Sequence, residues 1–391
     1  MAITIISQPQ IYTPVYNGLK FEVSSDNTNE DNFQYVFDII YDGIFQTRHR
    51  VQANPTTGNG KFNAMRIIES VITHDDFADL DSSFINALNG YKKLSVEFKE
   101  EYDIAGVLTL SATLATSADI YAFNGSYPYL DFTTFDYTDC NLTDVTSQFL
   151  TGATHSQKIK LDERAWLYSR CSVPARYARK QVKTYSVAGV LLNTYNISNS
   201  FNNNALEADQ FIRASVGPAQ LDAEGVSFTN VSYYTVQAQN SGGTVYSKLM
   251  TYTIDSNCSK YASIRLHFLN TYGGFDSFTF TGQNERKLEI KKVDYKTGEQ
   301  FTTSASDRLI STSNTSLKQK ITLNSDWLSE EEMIWLEQLV TSPIIFQELN
   351  DNLIPVNCTD LKVDQKQKVN DKLFNLKLNL SYTYTSYRQR Y

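Results

Sequence analysis

The sequence has few of the residues that build metal and redox sites. Its 391 residues include only four cysteines and four histidines. Cys140, Cys171, Cys258 and Cys358 lie far apart in the chain, so no Cys-x-x-Cys pair is present to begin a zinc site. This spacing favours reduced cysteines in or near β cores. We therefore expect no metal site and no cofactor.

Sequence motifs of common enzyme classes are also missing. The chain has no Gly-x-Ser-x-Gly elbow, Walker loop, Gly-x-Gly-x-x-Gly or His-Glu-x-x-His motif. We expect no catalytic residues and no enzyme activity. A glycosidase on a β scaffold needs only two carboxylates that folding brings together, so a β-scaffold glycoside hydrolase stays open as an alternative.

Charge and hydropathy exclude further classes. The chain has 35 basic and 43 acidic residues, a net charge of −8, and no run rich in Lys or Arg. Specific nucleic-acid binding is therefore not expected. No apolar run reaches the roughly 18 residues of a membrane-spanning helix, and the apolar start of the chain lacks a basic region before it. We expect no membrane insertion and no export signal.

Acidic residues are densest in one short stretch of the chain. Its members are His74, Asp75, Asp76, Asp79 and Asp81. Hard cations bind several oxygens together, so a calcium site is one interpretation. The stretch lacks the central glycine of a calcium-binding hand, and a helix dipole favours acids in the first turn. We predict a helix over residues 75–88 with these acids at its start.

The histidines do not have the spacing of metal ligands. His267 alternates with Leu266 and Phe268, which places it beside Arg265 on the polar side of a predicted strand. We predict a solvated histidine there. His49 and His155 have no Cys, Asp or His at ligand spacing.

Length and composition predict an all-β protein of two to three immunoglobulin-like β-sandwich domains in tandem. The 25 Tyr and 22 Phe, with abundant Thr, Val and Ile, suit pleated and half-buried surfaces. We place the N-terminal sandwich at residues 1–118, the middle sandwich at 119–260 and the C-terminal β domain at 261–391. The last domain carries one short helix, from Ser329 to Val340, with a Ser329/Glu332 capping box and Pro343 beyond its end.

Turn residues and alternation locate the main hairpins. Residues 33–41 alternate aromatic and smaller side chains before Asp42-Gly43, and residues 44–51 return, which predicts a hairpin. A second hairpin is predicted from Val231–Gln237 and Val245–Ile254. Strands are also predicted at residues 65–73, 94–102 and 107–114.

The C-terminal segment is the predicted contact region. Phe374, Leu376, Leu378, Leu380, Tyr382 and Tyr384 alternate with polar residues, so one face is predicted to be core and the other to face water or a partner. The end of the chain holds Tyr387, Arg388, Arg390 and Tyr391, and Tyr and Arg are enriched at interface cores. These four residues are the candidate interface. A frayed, solvated tail is the alternative.

Several segments together resemble virion proteins of tailed phages of the Bacteroidetes lineage, including the crAss-like group. The segments are Gln8-Pro9 through Tyr16-Asn17 into Phe21, the hairpin with Asp42-Gly43, the loop Asn54-Pro55 to Gly60-Lys61-Phe62, the stretch from Asn270-Thr271-Tyr272 to Gly273-Gly274-Phe275-Asp276, and Asp326-Trp327-Leu328-Ser329 with Thr341-Ser342-Pro343. Tail rings and adaptors of that family are built of immunoglobulin-like domains.

The resemblance implies a non-enzymatic structural protein of the phage tail, in a ring, adaptor or tube-associated position. Its expected partners are further copies of itself in a symmetric ring and other virion tail proteins. Assembly would take place in the bacterial host cytoplasm, which suits reduced cysteines. The alternative is a carbohydrate- or receptor-binding tail-tip adhesin in contact with the host surface, which would need exposed aromatic platforms. Three tryptophans, Trp166, Trp327 and Trp335, supply such a platform poorly.

Overall fold

The computed structural model consists mainly of β-sheet. It describes residues 3–77, 79–134, 141–199, 210–256, 260–297, 304–305, 309–360, 366–368 and 373–387. Strands account for 49% of residues and helices for 11%, which confirms the β class. Two compact units divide the chain: Met1–Ile254 with Asn270–Phe275, and Asp255–Leu269 with Asp276–Tyr391. The division into domains at residues 118 and 260 stays a prediction.

The first part of unit 1 contains two sheets around one hydrophobic core. Its elements are β1 (Thr4–Ser7), β2 (Tyr12–Pro14), β3 (Lys20–Ser24), β4 (Gln34–Tyr41), β5 (Ile44–Gln52), β6 (Gly60–Asn63), α1 (Met65–Glu69), β7 (Phe84–Asn86), β8 (Tyr91–Ile104), β9 (Val107–Leu110), β10 (Ala115–Thr116), β11 (Ile120–Phe123) and α2 (Tyr129–Thr134). One sheet has the order β1-β3-β6, and the other β2-β11-β8-β4-β5 with β9 and β10 on β8. Phe21 from the first sheet and Phe37 and Phe98 from the second are fully buried in this core.

The first predicted hairpin is confirmed. β4 and β5 pair antiparallel up to Tyr41 and Ile44, and Asp42-Gly43 connects them. Asp42 has φ 51° and Gly43 has φ 76°, the left-handed pair that a tight two-residue hairpin turn requires. Alternation buries Tyr35, Phe37 and Ile39.

The predictions for residues 65–88 are wrong. A strand was predicted over residues 65–73, but the chain forms the short helix α1 there. A helix was predicted over residues 75–88, but Phe77 has φ 52°, which no α-helix permits, and Phe84–Asn86 forms strand β7. β7 pairs with the strand Gln210–Ser215 in the second part of unit 1, so tertiary contacts override the local helix preference.

The second part of unit 1 has a core of its own between two sheets. Its elements are β12 (Ser156–Ile159), β13 (Trp166–Cys171), β14 (Arg179–Tyr185), β15 (Leu191–Ser198), β16 (Gln210–Ser215), α3 (Pro218–Ala223), β17 (Tyr233–Gln239) and β18 (Met250–Ile254). The orders are β12-β18-β17-β14-β15 and β13-β16-β7. The predicted second hairpin is confirmed, since β17 and β18 pair antiparallel, although β18 begins only at Met250.

Unit 2 is built on one eight-stranded sheet. Its elements are β19 (Ile264–Leu269), β20 (Phe275–Phe280), β21 (Glu285–Lys296), β22 (Ile310–Asn324), α4 (Glu330–Thr341), β23 (Ile345–Leu349), β24 (Asn352–Cys358), β25 (Lys366–Lys368), β26 (Leu373–Asn375), β27 (Lys377–Tyr382) and β28 (Ser386–Tyr387). The order is β20-β19-β23-β24-β27-β22-β21, with β28 also on β22, while β25 and β26 form a separate pair.

The predicted C-terminal helix is confirmed as α4. Ser329 Oγ accepts a hydrogen bond from Glu332 N at 3.2 Å, and Ser329 N donates to Glu332 Oε2 at 2.8 Å, which completes the capping box. Met333, Leu336 and Leu339 are buried on its inner face. Within the described part of the chain, no helix is long and apolar enough to cross a membrane.

The alternation predicted for the last strand is confirmed on its core side up to Tyr382 and is wrong at Tyr384. The buried side chains are Phe374, Leu376, Leu378, Leu380 and Tyr382, whereas Tyr384 is 45% exposed. The other side is only partly solvated: Asn375 and Lys377 are exposed, but Ser381 is buried and Asn379 is hydrogen bonded to Asp360. This strand lies inside the sheet, between β24 and β22, so its polar face is partly covered by its own chain.

Candidate interaction surface

The first polar cluster of unit 1 is built around Asp75. This carboxylate is buried, and it accepts hydrogen bonds from Arg213 Nη1 at 2.9 Å and from the Tyr168 hydroxyl at 2.9 Å. Arg213 is also buried, packs over the rings of Phe77 and Trp166, and donates to the Asp79 carbonyl. Burial, reinforced by Asp75, raises the pKa of Tyr168 well above its usual value. The predicted role of Asp75 as an exposed helix-start acid is therefore wrong.

A second polar cluster holds Lys180, whose side chain is fully buried. Its Nζ donates to the Ser215 carbonyl at 2.6 Å, to Ser215 Oγ at 2.9 Å and to Glu224 Oε1 at 2.9 Å. Ser215 Oγ in turn donates to Glu224 at 2.8 Å. Burial lowers the pKa of Lys180 to about 8, although Glu224 opposes this shift.

His267 forms a third polar cluster, in unit 2. The prediction of a solvated side chain is wrong, because His267 is fully buried. Its Nδ1 lies 2.7 Å from Ser277 Oγ and its Nε2 lies 3.2 Å from Glu348 Oε2. Neighbouring strands β19, β20 and β23 bring these three side chains together, so alternation within one strand could not reveal the arrangement.

Two of these clusters place a hydroxyl beside a base, as hydrolases do. However, both pairs are buried: Ser215 with Lys180, and Ser277 with His267. A substrate from solvent could not reach either oxygen in this structure. The three clusters are buried networks of ion pairs and hydrogen bonds. Two of them hold residues 75–77 and 79–83 onto the second core of unit 1, and the third connects strands β19, β20 and β23.

Other buried carboxylates are paired with cations in the same way. Asp38 accepts from Arg48 and Lys99 at 2.6 Å, and Glu101 accepts from Arg50 at 2.6 Å. Burial alone would raise the pKa of Asp38, but its hydrogen bonds outweigh this and leave the pKa lowered. The hydrogen bond from Arg50 lowers the pKa of Glu101. A glycosidase general acid needs a raised pKa instead.

The acidic stretch at residues 74–81 does not gather its oxygens around one point. Asp75 is paired with Arg213, and Asp81 accepts from Arg164 at 2.7 Å. Asp79 accepts from the backbone amides of Asp81 and Ser82. Among the described residues no group of three or more His, Cys, Asp or Glu is arranged to hold a metal ion.

The hairpin of β21 and β22 is a long exposed feature of unit 2, and we name it the arm. β21 has 12 residues, which extend about 40 Å, and lies at the edge of the sheet. Among the described residues, Ile310–Thr315 of β22 pairs with β21 and with no other strand, so that end of the arm is a two-stranded ribbon there. Long edge strands are sites where other chains pair or pack.

The two faces of the arm differ in chemistry. On one face Leu288 and Ile290 are 52% and 50% exposed, although they continue the row of buried Ile321 and Leu317 on β22. Lys292 lies further along this face. On the other face Lys287, Lys291 and Lys320 pair with Glu285 or Glu289 of the same hairpin. That face also carries Val293 and Tyr295, which are 58% and 47% exposed. We name the face of Leu288 and Ile290 the apolar face, because its apolar side chains have no ion pair beside them among the described residues.

The structure places one of the four candidate interface residues. Tyr387 lies in β28, which pairs with Ser316 and Leu317 of the arm, and its side chain is 69% exposed. Arg388, Arg390 and Tyr391 lie outside the described residues. Sequence analysis missed the arm itself, although the alternation Leu288-Glu289-Ile290-Lys291 is a strand signal.

The tryptophans do not form a common platform. Trp166 and Trp335 are buried, and Trp335 Nε1 donates to Asp276 at 2.8 Å. Trp327 is 53% exposed. Only one of the three could therefore contribute an exposed face to a sugar-binding surface.

Comparison with known proteins gives no family assignment. No family model matches the chain, and no curated protein is significantly similar to it.

Proposed function

We propose that this chain is a non-enzymatic structural component of a bacteriophage tail, assembled in the bacterial host cytoplasm from immunoglobulin-like β-sandwich domains. Copies of the chain would form a closed homo-oligomeric ring, adaptor or tube-associated layer, in contact with other tail proteins. We propose no catalytic residue and no cofactor for this chain.

The observation that supports it best is the exposed apolar face of the arm. Burying a Leu or Ile side chain contributes about 1.5–3 kcal/mol, so a row of such side chains on an edge hairpin favours a partner. The polar clusters support a structural role in a second way. Their hydroxyl and base groups are enclosed in the cores and stabilise the fold.

The test compares the full chain with a variant that has a shortened arm. Ile290 and Leu317 lie directly opposite each other, so replacing residues 291–316 by Asn-Gly closes a two-residue hairpin, and Leu288→Thr with Ile290→Thr in the same variant removes the exposed apolar side chains. Light scattering after gel filtration and negative-stain microscopy measure assembly. We expect rings of one size from the full chain and monomers from the shortened chain.

A control variant trims another exposed apolar tip. In it, Asn-Gly replaces residues 186–190, which include the 91% exposed Val187 between β14 and β15 of unit 1. This variant should assemble normally. A full chain that stays monomeric at about 100 μM, well above typical oligomer dissociation constants, would contradict the proposal. Equal assembly by the shortened chain would contradict the role of the arm.

A further inference from the structure

The charges of the chain are unevenly distributed. Of its 35 basic and 43 acidic residues, strands β21 and β22 hold seven basic and three acidic ones. The rest of the chain therefore has 28 basic and 40 acidic residues. Unit 1 alone has 18 basic and 26 acidic residues, a net charge of −8 that equals the net charge of the whole chain. The arm is a basic element in an acidic protein.

The apolar face of the arm carries part of this positive charge. Strand alternation and the pairing register place Arg286, Lys292 and Lys296 on the same side of β21 as Leu288 and Ile290. Asp294 lies on this side too and accepts a hydrogen bond from Thr312 at 2.6 Å. Lys292 and Lys296 are exposed, and neither makes an ion pair within the described residues. The face therefore presents an apolar centre with three basic residues and one acidic residue around it.

Unit 1 has an exposed surface with the opposite charge and similar apolar content. We name it the turn surface: Glu30, Asp31, Asp103, Ile104, Val107 and Leu108. The residues are held together because Asp103 N donates to the Asp31 carbonyl at 2.9 Å and Asp103 pairs with Leu108 across the β8–β9 hairpin. Asn32 donates to Asp103 Oδ2 at 2.7 Å. Ile104, Val107 and Leu108 are all more than half exposed.

We propose that the arm of one copy binds the turn surface of a second copy. Leu288 and Ile290 would cover the apolar turn, and Lys292 and Lys296 would lie against Glu30 and Asp31. The inference rests on the proposed function and specifies its contact. The two surfaces differ, so a contact made once between two copies is head-to-tail, the type that closes into rings or extends as filaments, whereas two reciprocal contacts would give a symmetric dimer.

A second copy fits the arm better than a nucleic acid does. Duplex DNA offers phosphates for the lysines but, apart from small apolar groups on base edges inside its grooves, little apolar surface for Leu288 and Ile290. The remaining 28 basic and 40 acidic residues would also repel a polyanion. The turn surface supplies both the acidic and the apolar groups.

Charge reversal on each side tests the contact in the full chain. K292E/K296E and E30K/D31K should each weaken association at least about 10-fold in sedimentation velocity, since like charges across an interface are unfavourable. An equal mixture of the two variants should restore association to within about 3-fold, because each copy then meets an oppositely charged partner. Thermal melting checks that both variants fold.

The matched control is K287E/K291E, which reverses two charges on the opposite face of the same strand and should leave association unchanged. If the wild type assembles and neither charge reversal weakens its association, the inference is overturned and the proposed function stands. Loss of association in both variants without rescue in the mixture would also overturn the inference.

A wild type that never assembles would refute the proposed function as well. The same variants are tested with a labelled 30-bp duplex. If K292E/K296E abolishes binding of the duplex but leaves the self-association of the chain unchanged, the arm binds nucleic acid instead.

Discussion

Removal of the Asp75 carboxylate should destabilise unit 1 strongly. In Asp75→Ala, Arg213 stays buried without its ion-pair partner, and the Tyr168 hydroxyl loses its acceptor. Breaking a buried pair from one side costs about 3–5 kcal/mol, whereas an exposed helix-start acid contributes about 0.3–1 kcal/mol. With about 2–4 °C per kcal/mol for a unit of this size, the melting temperature should fall by about 6–20 °C.

Urea unfolding followed by Trp166 fluorescence measures this loss, because Trp166 contacts Arg213. A W327F/W335F background makes Trp166 the only tryptophan. Asp162→Ala, at an exposed position, is the control and should change the free energy of unfolding by less than about 0.5 kcal/mol. Replacing Arg213 by Met in the Asp75→Ala protein should recover part of the loss, because no unpaired charge then remains. A loss below about 1 kcal/mol in Asp75→Ala would refute this account of the cluster.

Four further predictions concern stability and assembly. The pKa of about 8 for folded Lys180 lies below its ordinary 10.5, so the unfolded chain binds the proton more tightly. The free energy of unfolding should therefore rise from about pH 8 to about pH 10.5 in urea titrations, and Lys180→Met should flatten this rise. Ser329→Ala removes the capping box and should cost unit 2 about 1 kcal/mol, measured by Trp335 fluorescence in urea; an unchanged midpoint would contradict the cap's role. Deleting residues 386–391 should change stability by less than about 0.5 kcal/mol but reduce incorporation into particles, and normal incorporation would exclude the tail from the interface. Calcium should leave the melting temperature unchanged, because Asp75 and Asp81 are paired with arginines; a chelator-reversible rise of several degrees would contradict this.

Elements with strong local signals could be predicted from the sequence. Asp42-Gly43 specifies its hairpin because few residue pairs tolerate two successive left-handed conformations. Ser329 and Glu332 specify the start of α4 because their side chains bond the first amides of the helix. Alternation from Phe374 to Tyr382 identified the core face of the last strand, because a strand shows every second side chain to the same side. In each case residues within a few positions of one another determine the result.

Tertiary structure decided the features that depend on distant residues. Asp75 and Arg213 are 138 positions apart, and their pairing overrides the helix preference of residues 75–88. His267 is buried because Ser277 and Glu348, on neighbouring strands, complete its hydrogen bonds. The exposure of Leu288 and Ile290 likewise follows from the position of β21 at the sheet edge, since the same alternation would be buried in a central strand. Composition and local turn residues were therefore enough to predict the β class and its tight turns. Strand order and pairing between distant residues set which charges are buried and which apolar side chains are exposed.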